Sequence, residues 1–169
     1  MGVDVRGPAW SAAALHDDPG AIRAAHLAFF EAGADLAVSA SYQISFDGPA
    51  AAGATPDETQ LAIIASTRLA REAATIAEDR DGRARLVAAS VGPYGASLAD
   101  GSEYTGDYGL TIAELRAWHR PRLQALAATA PDLLAIETVP SAAEAEALLV
   151  EVAELGLPAW LSMTADGAL

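Results

Sequence analysis

Four short apolar runs, each preceded by a helical stretch, constrain the fold of this 169-residue chain more than any other feature. The runs are Leu36 to Tyr42, Leu86 to Val91, Leu133 to Val139 and Ala159 to Met163. They are near-continuous rather than alternating, the pattern of parallel strands covered on both faces. Intervening helices of about 15 residues serve as crossovers, and the order helix–strand–helix–strand implies a parallel α/β sheet. Right-handed crossovers then bring all strand C-termini to one edge, where a site would be built.

The helix starts are explicit. Thr55-Pro56-Asp57-Glu58, Thr111-Ile112-Ala113-Glu114 and Ser141-Ala142-Ala143-Glu144 each place a hydroxyl at the cap and a glutamate three residues on. Such a pair is expected to close reciprocally, hydroxyl to the N3 amide and carboxylate to the cap amide. A fourth start, Asp18-Pro19, leads into Ile22, His26, Phe29 and Phe30, with Gly33 placed to end the helix. Helical spacing continues through Leu61, Ile64 and Leu69, through Leu115, Trp118 and Leu126, and through Leu148, Val152 and Leu155.

Composition narrows the chemistry. There is no cysteine, so this chain offers no disulfide, thiolate metal site or cysteine nucleophile. Ten basic residues, all arginine, stand against 23 acids for a formal charge of -13, which argues against nucleic-acid binding. The apolar segments are broken by charge and too short for a membrane span, and the first residues lack a signal-peptide core. The expected location is the cytoplasm. G-x-G-x-x-G, Walker A, H-E-x-x-H and G-x-S-x-G are all missing. His16, His26 and His119 fall on or beside helices and read as capping or packing residues.

Polar groups gather where the runs end: Ser39 and Ser41, Ser90 to Gly92, Glu137 and Thr138, Ser162 and Thr164. Glu137, inside Leu-Leu-Ala-Ile-Glu-Thr-Val-Pro, is the most informative, because an unpaired carboxylate among such neighbours costs several kcal/mol. It faces a ligand, a cation or water at the strand mouth, or else caps a helix or pairs with an arginine. The stretch from Gly92 to Leu110 is too long for an ordinary βα loop. Its three tyrosines, Tyr94, Tyr104 and Tyr108, fit a lid or substrate-gripping loop. His119-Arg120-Pro121-Arg122 reads as a solvated face or salt-bridge donors, with a kink at Pro121.

Taken together, Ser39-Ala-Ser-Tyr-Gln43, Ser90-Val-Gly-Pro-Tyr-Gly-Ala96, Leu98-Ala-Asp-Gly-Ser-Glu-Tyr104 with Gly106-Asp-Tyr108, His119-Arg-Pro-Arg122 and Asp132-Leu-Leu-Ala-Ile-Glu-Thr-Val-Pro140 resemble bacterial homocysteine S-methyltransferases, above all the S-methylmethionine-using kind. Pro8-Ala-Trp-Ser11 is similar to a Leu-Trp-Ser segment of that family, with Ala9 in place of Leu. The resemblance runs from about Val3 to Thr164.

It implies a (β/α)8 barrel, of which residues 1–169 would be a single incomplete domain holding the second to fifth strands. The first strand is expected before Met1, and the last three, with three zinc-binding cysteines, after Leu169. Zinc is thus expected in a full-length member, its ligands absent from this chain. By the same resemblance, Glu137 holds the amino group of homocysteine, with Thr138 beside it. Ser39, Ser41, Ser90, Val91 and Gly92 line the pocket, and Tyr94, Tyr104 and Trp10 surround a sulfonium methyl donor. A cation over an aromatic face gains about 0.5–2 kcal/mol.

The activity implied is methyl transfer from S-methylmethionine or S-adenosylmethionine to homocysteine, giving methionine, with the chain alone expected to be inactive. Exposed barrel edges would favour an oligomer. Two alternatives stay open: a non-catalytic amino-acid-binding half-barrel, and a (β/α)-barrel hydrolase or lyase fragment using Glu137.

Overall fold

The computed structural model describes residues 10–47, 51 and 53–164, with side chains from Ala14 onward. Its helices are α1 (Trp10–Asp17), α2 (Pro19–Glu31), α3 (Pro56–Asp81), α4 (Tyr94–Leu98), α5 (Ile112–Ala128) and α6 (Ala142–Leu155). Its strands are β1 (Leu36–Val38), β2 (Leu86–Val91), β3 (Leu133–Val139) and β4 (Ala159–Met163). All pair in parallel, in the spatial order β1-β2-β3-β4. This is part of a (β/α)8 barrel: four consecutive parallel strands with flanking helices. Among the described residues, no helix is long and apolar enough to cross a membrane.

The capping chemistry explains where most helices begin. Thr55 accepts from the Glu58 amide at 3.3 Å, while the Thr55 amide donates to the Glu58 carboxylate at 2.8 Å. Thr111 and Glu114 repeat the arrangement at 3.3 and 2.8 Å. Asp18 accepts from the Ala21 amide at 3.0 Å, with Pro19 following it. At α6 the box closes on one side only. Ser141 accepts from the Glu144 amide at 3.2 Å, but the Glu144 carboxylate turns inward.

One face of the sheet packs on the helices. Ala89, Val91, Leu134 and Ile136 join Leu123, Leu126 and Leu148 in the main core. Ala37 and Val87 meet Phe30 and the alanine face of α3, residues Ala70, Ala73, Ala74 and Ala77. Each fully buried Leu- or Phe-sized side chain contributes about 1.5–3 kcal/mol, so this layer carries the stability. The strand register puts Leu36, Leu86, Val38, Ala88, Ser90, Ala135 and Trp160 on the opposite face.

Coverage of both faces, as the apolar runs predict, holds for the centre and fails at β4. Val87, Ala88 and Ala135 are fully buried, whereas Trp160 is 37% and Met163 50% exposed. The reason is topological, since β4 pairs on one side only, with β3.

Candidate functional site at the strand C-termini

The first apolar run leaves the sheet early: β1 ends at Val38 rather than Tyr42. The Ser39 amide still donates to Ala88 O at 2.9 Å, and the Ser41 amide then turns back to Ser39 O. Serine hydroxyls compete with ladder bonds in this way. The Ser39 and Ser41 hydroxyls lie 2.8 Å apart, Ser41 Oγ donates to Ser90 O at 2.8 Å, and the Ser90 amide donates to Ser39 Oγ at 3.1 Å. Side chains thus replace main-chain pairing where β1 and β2 part. Both serines are buried, as are Ser90 and Val91.

The network reaches the third strand through Ser90, whose hydroxyl donates to Glu137 Oε1 at 2.5 Å. Glu137 stays partly exposed, and among the described residues it has no arginine or histidine partner. Among the described residues, neither an arginine pair nor a helix cap holds it; Ser90 does. Beside it, Thr138 has φ +64°, a left-handed conformation that a β-branched residue rarely adopts. The pairing of β3 with β4 slips between Ile136 and Val139, a bulge that re-aims the side chains of Glu137 and Thr138. Strain held at a strand mouth is a mark of a functional position.

Gly92 follows, and a Cβ there would lie 2.6 Å from Tyr42 O and 2.8 Å from the Tyr42 ring. Only glycine lets the two loops touch. Burial pushes the Tyr42 phenol above its ordinary range, the Thr138 hydroxyl opposes this, and the Glu103 and Glu137 carboxylates add to it. These are the groups around Tyr42 at the mouth.

The Gly92–Leu110 stretch is a folded layer rather than an open loop. It holds α4 and a 3-10 turn over Ser102–Tyr104, and a Cβ on Gly95 would sit 2.4 Å from the Glu103 amide. Of its tyrosines, Tyr104 is 62% exposed. Tyr94 packs edge-on against Tyr108, 5.1 Å between centroids, and Trp118, 5.0 Å. The structure therefore does not bring Tyr94 and Tyr104 together in one aromatic pair. Trp10 opens α1, and its side chain lies outside the described residues, as does most of Pro8-Ala-Trp-Ser11.

Several supporting residues were not apparent from sequence. Glu144 Oε1 accepts from the Tyr94 amide at 2.5 Å and lies 2.9 Å from His119 Nε2, with both side chains fully buried. Burial pulls the His119 pKa below its ordinary 6.5, against the opposing Glu144 carboxylate. Burial therefore favours the neutral ring, and the tautomer protonated at Nε2 gives Glu144 its donor. His119 is thus a packing residue as expected, and Glu144 connects it to the first residue of α4.

The basic run divides in two. Arg120 pairs with Glu151 at 2.8 Å on the outer side of α5, together with Arg116 at 2.7 Å. Arg122 is neither solvated nor in a salt bridge among the described residues; it is 2% exposed and donates to three loop carbonyls. The available signal was position: Leu115, His119, Arg122 and Leu126 share one helical stripe, so two polar residues occupy core positions. Pro121 does lie within α5.

The residues present do not fit the zinc site implied by resemblance. Cysteine is absent, and no group of three or more His, Cys, Asp or Glu among the described residues is placed to hold a metal.

Comparison with known proteins identifies the family. The family model described as Homocysteine S-methyltransferase matches residues 2–169. Homocysteine S-methyltransferase of Escherichia coli is 46% identical over 158 residues, covering 92% of this chain and 51% of that protein. Homocysteine S-methyltransferase 4 of Zea mays is 45% identical over 178 residues, covering 98% of this chain and 52% of that protein. The homocysteine methyltransferase MmuM of Escherichia coli superimposes with a TM-score of 0.89 at 44% identity in its metallated form, covering 98% of this chain and 58% of that one. The chain thus spans about half the length of the curated relatives it matches. It belongs to the homocysteine S-methyltransferase family.

Proposed function

We propose that this chain carries the amino-acid-binding part of a homocysteine S-methyltransferase. One observation supports the reading most: Glu137, braced by Ser90, stands partly exposed at a strand mouth, with no cationic side chain on it among the described residues. A carboxylate so placed suits the ammonium of an amino acid, a charge-assisted contact about twice as strong as a neutral hydrogen bond.

In the reaction the homocysteine sulfur forms a bond to a methyl carbon, and the bond from that carbon to a donor sulfonium breaks. The donor leaves as a neutral thioether and the thiol proton is lost. This chain's part is positional. Holding the ammonium at Glu137 fixes where the sulfur points, and such orientation is worth several kcal/mol of barrier. A free thiol, with pKa about 8.5, is a weak nucleophile at neutral pH, and a zinc ion held by residues of a full-length member would supply the activation. No step through zinc is assigned to the residues here, which do not fit it.

The reading takes S-methylmethionine or S-adenosylmethionine as donor and methionine as product, in the cytoplasm, with self-association through the exposed β4 side. The relatives lend no support to a hydrolase or lyase. Calorimetric titration tests the core of the proposal. Homocysteine should bind the wild-type chain, and Glu137→Gln should weaken binding by about tenfold or more with an unchanged melting temperature. Absent binding, or equal binding by the variant, would overturn it.

A further inference from the structure

We propose that Arg122 is a positioning residue for this site, fixing the loops after β1 and β2 against each other. The proposal rests on the reading of the strand mouth as an amino-acid pocket. Arg122 Nη1 donates to Gly92 O at 2.9 Å, and Nη2 donates to Tyr42 O at 2.6 Å and Ser41 O at 3.1 Å. One planar group therefore holds both loops, while the Trp118 ring lies 5.9 Å from the guanidinium carbon.

Three considerations separate this from ordinary core packing. Burying a cation is expensive, and an apolar side chain would fill the same stripe of α5 at lower cost. The carbonyls it serves lie beyond the ends of β1 and β2, where the ladder no longer supplies donors. Those carbonyls also belong to the pocket. Ser41, whose carbonyl Arg122 holds, donates its hydroxyl to Ser90 O, and Ser90 holds Glu137. Gly92 lets Tyr42 approach closely enough for one guanidinium to reach both. Lysine offers a point charge and no planar fork, so it cannot replace this geometry.

The test uses the full chain with Arg122→Met and Arg122→Lys, read by peptide-resolved hydrogen exchange and by homocysteine titration. Exchange should rise by about tenfold or more in peptides covering 39–46 and 90–96, while a peptide within α3 stays protected. Homocysteine affinity should fall by about tenfold in both variants, lysine giving no rescue. Exchange that rises uniformly, loop protection equal to wild type, or failure of both variants to fold would each overturn the proposal by assigning Arg122 to the fold alone. If wild type binds no homocysteine, the functional reading falls, and the exchange pattern still decides whether Arg122 holds the loops.

Discussion

Helices α3 and α5 start on the same local sequence as α6, a hydroxyl followed three residues later by glutamate, yet the three glutamates end in different places. Glu58 and Glu114 close their boxes at the surface, and the cap amide with the threonine hydroxyl holds each carboxyl below its usual range. Glu144 leaves its box half open and is fully buried against His119 and the Tyr94 amide. The first two glutamates stabilise their own helices. The third ties α6 to α5 and to the layer over the strand mouths, and only the tertiary structure distinguishes it.

The largest expected effect breaks that comparison directly. Glu144→Ala strips partners from two buried donors and opens a cavity, and should cost about 3–5 kcal/mol in urea unfolding. Glu58→Ala and Glu114→Ala should lose only a small fraction of that. Equal losses at all three would show that Glu144 is no more than a cap.

Next comes Gly92, where the layer meets the site. Gly92→Ala places a methyl within 3 Å of Tyr42, an overpacking cost of about 1–3 kcal/mol, and should weaken homocysteine binding by forcing the loops apart. Unchanged binding would uncouple the loop contact from the pocket.

The pH profile sharpens the contrast further. His119 is held below 6.5 when folded, so as pH falls through 6.5 the unfolded chain takes up a proton that the folded chain refuses. Stability from this group is full on the neutral side and lost toward acid, down to the lowered folded value. His26, lowered by burial, acts in the same direction. His119→Gln should therefore flatten, without abolishing, the fall in unfolding free energy between pH 7.5 and 5.5 (a range chosen to bracket about 6.5). An unaltered slope would mean that His119 takes up its proton at the same pH folded and unfolded.

The smallest stability effect is expected at the other flank. Met163→Thr should change stability by less than about 1 kcal/mol, because half of the residue is already exposed, while reducing self-association in sedimentation. A large loss of stability would show that β4 is packed more firmly than its exposure indicates.

Much of the frame was legible. Leu86–Val91 and Leu133–Val139 form strands over the bounds their apolar runs mark, because buried parallel strands need unbroken apolar side chains, and Ala159–Met163 matches its run although its faces are exposed. Leu36 to Tyr42 was misread, since Ser39 and Ser41 look like strand residues but bond sideways to Ser90. Glu137 and Ser90 were legible as strand-end polar groups, though not as partners. Arg122 and Glu144 were hidden by their types, as arginine and glutamate on helices are usually solvated.

The sequence by itself determined the order of helices and strands, the parallel sheet with one polar edge, and the lack of cysteine for a zinc site. These follow from periodicity, capping chemistry and residue type, which act over a few neighbours. The tertiary structure decided which polar residues are buried, where Thr138 is strained, and how Arg122 joins two loops far apart in sequence. Such contacts depend on which distant atoms meet after the core has closed, and a buried charge finds its partners only then.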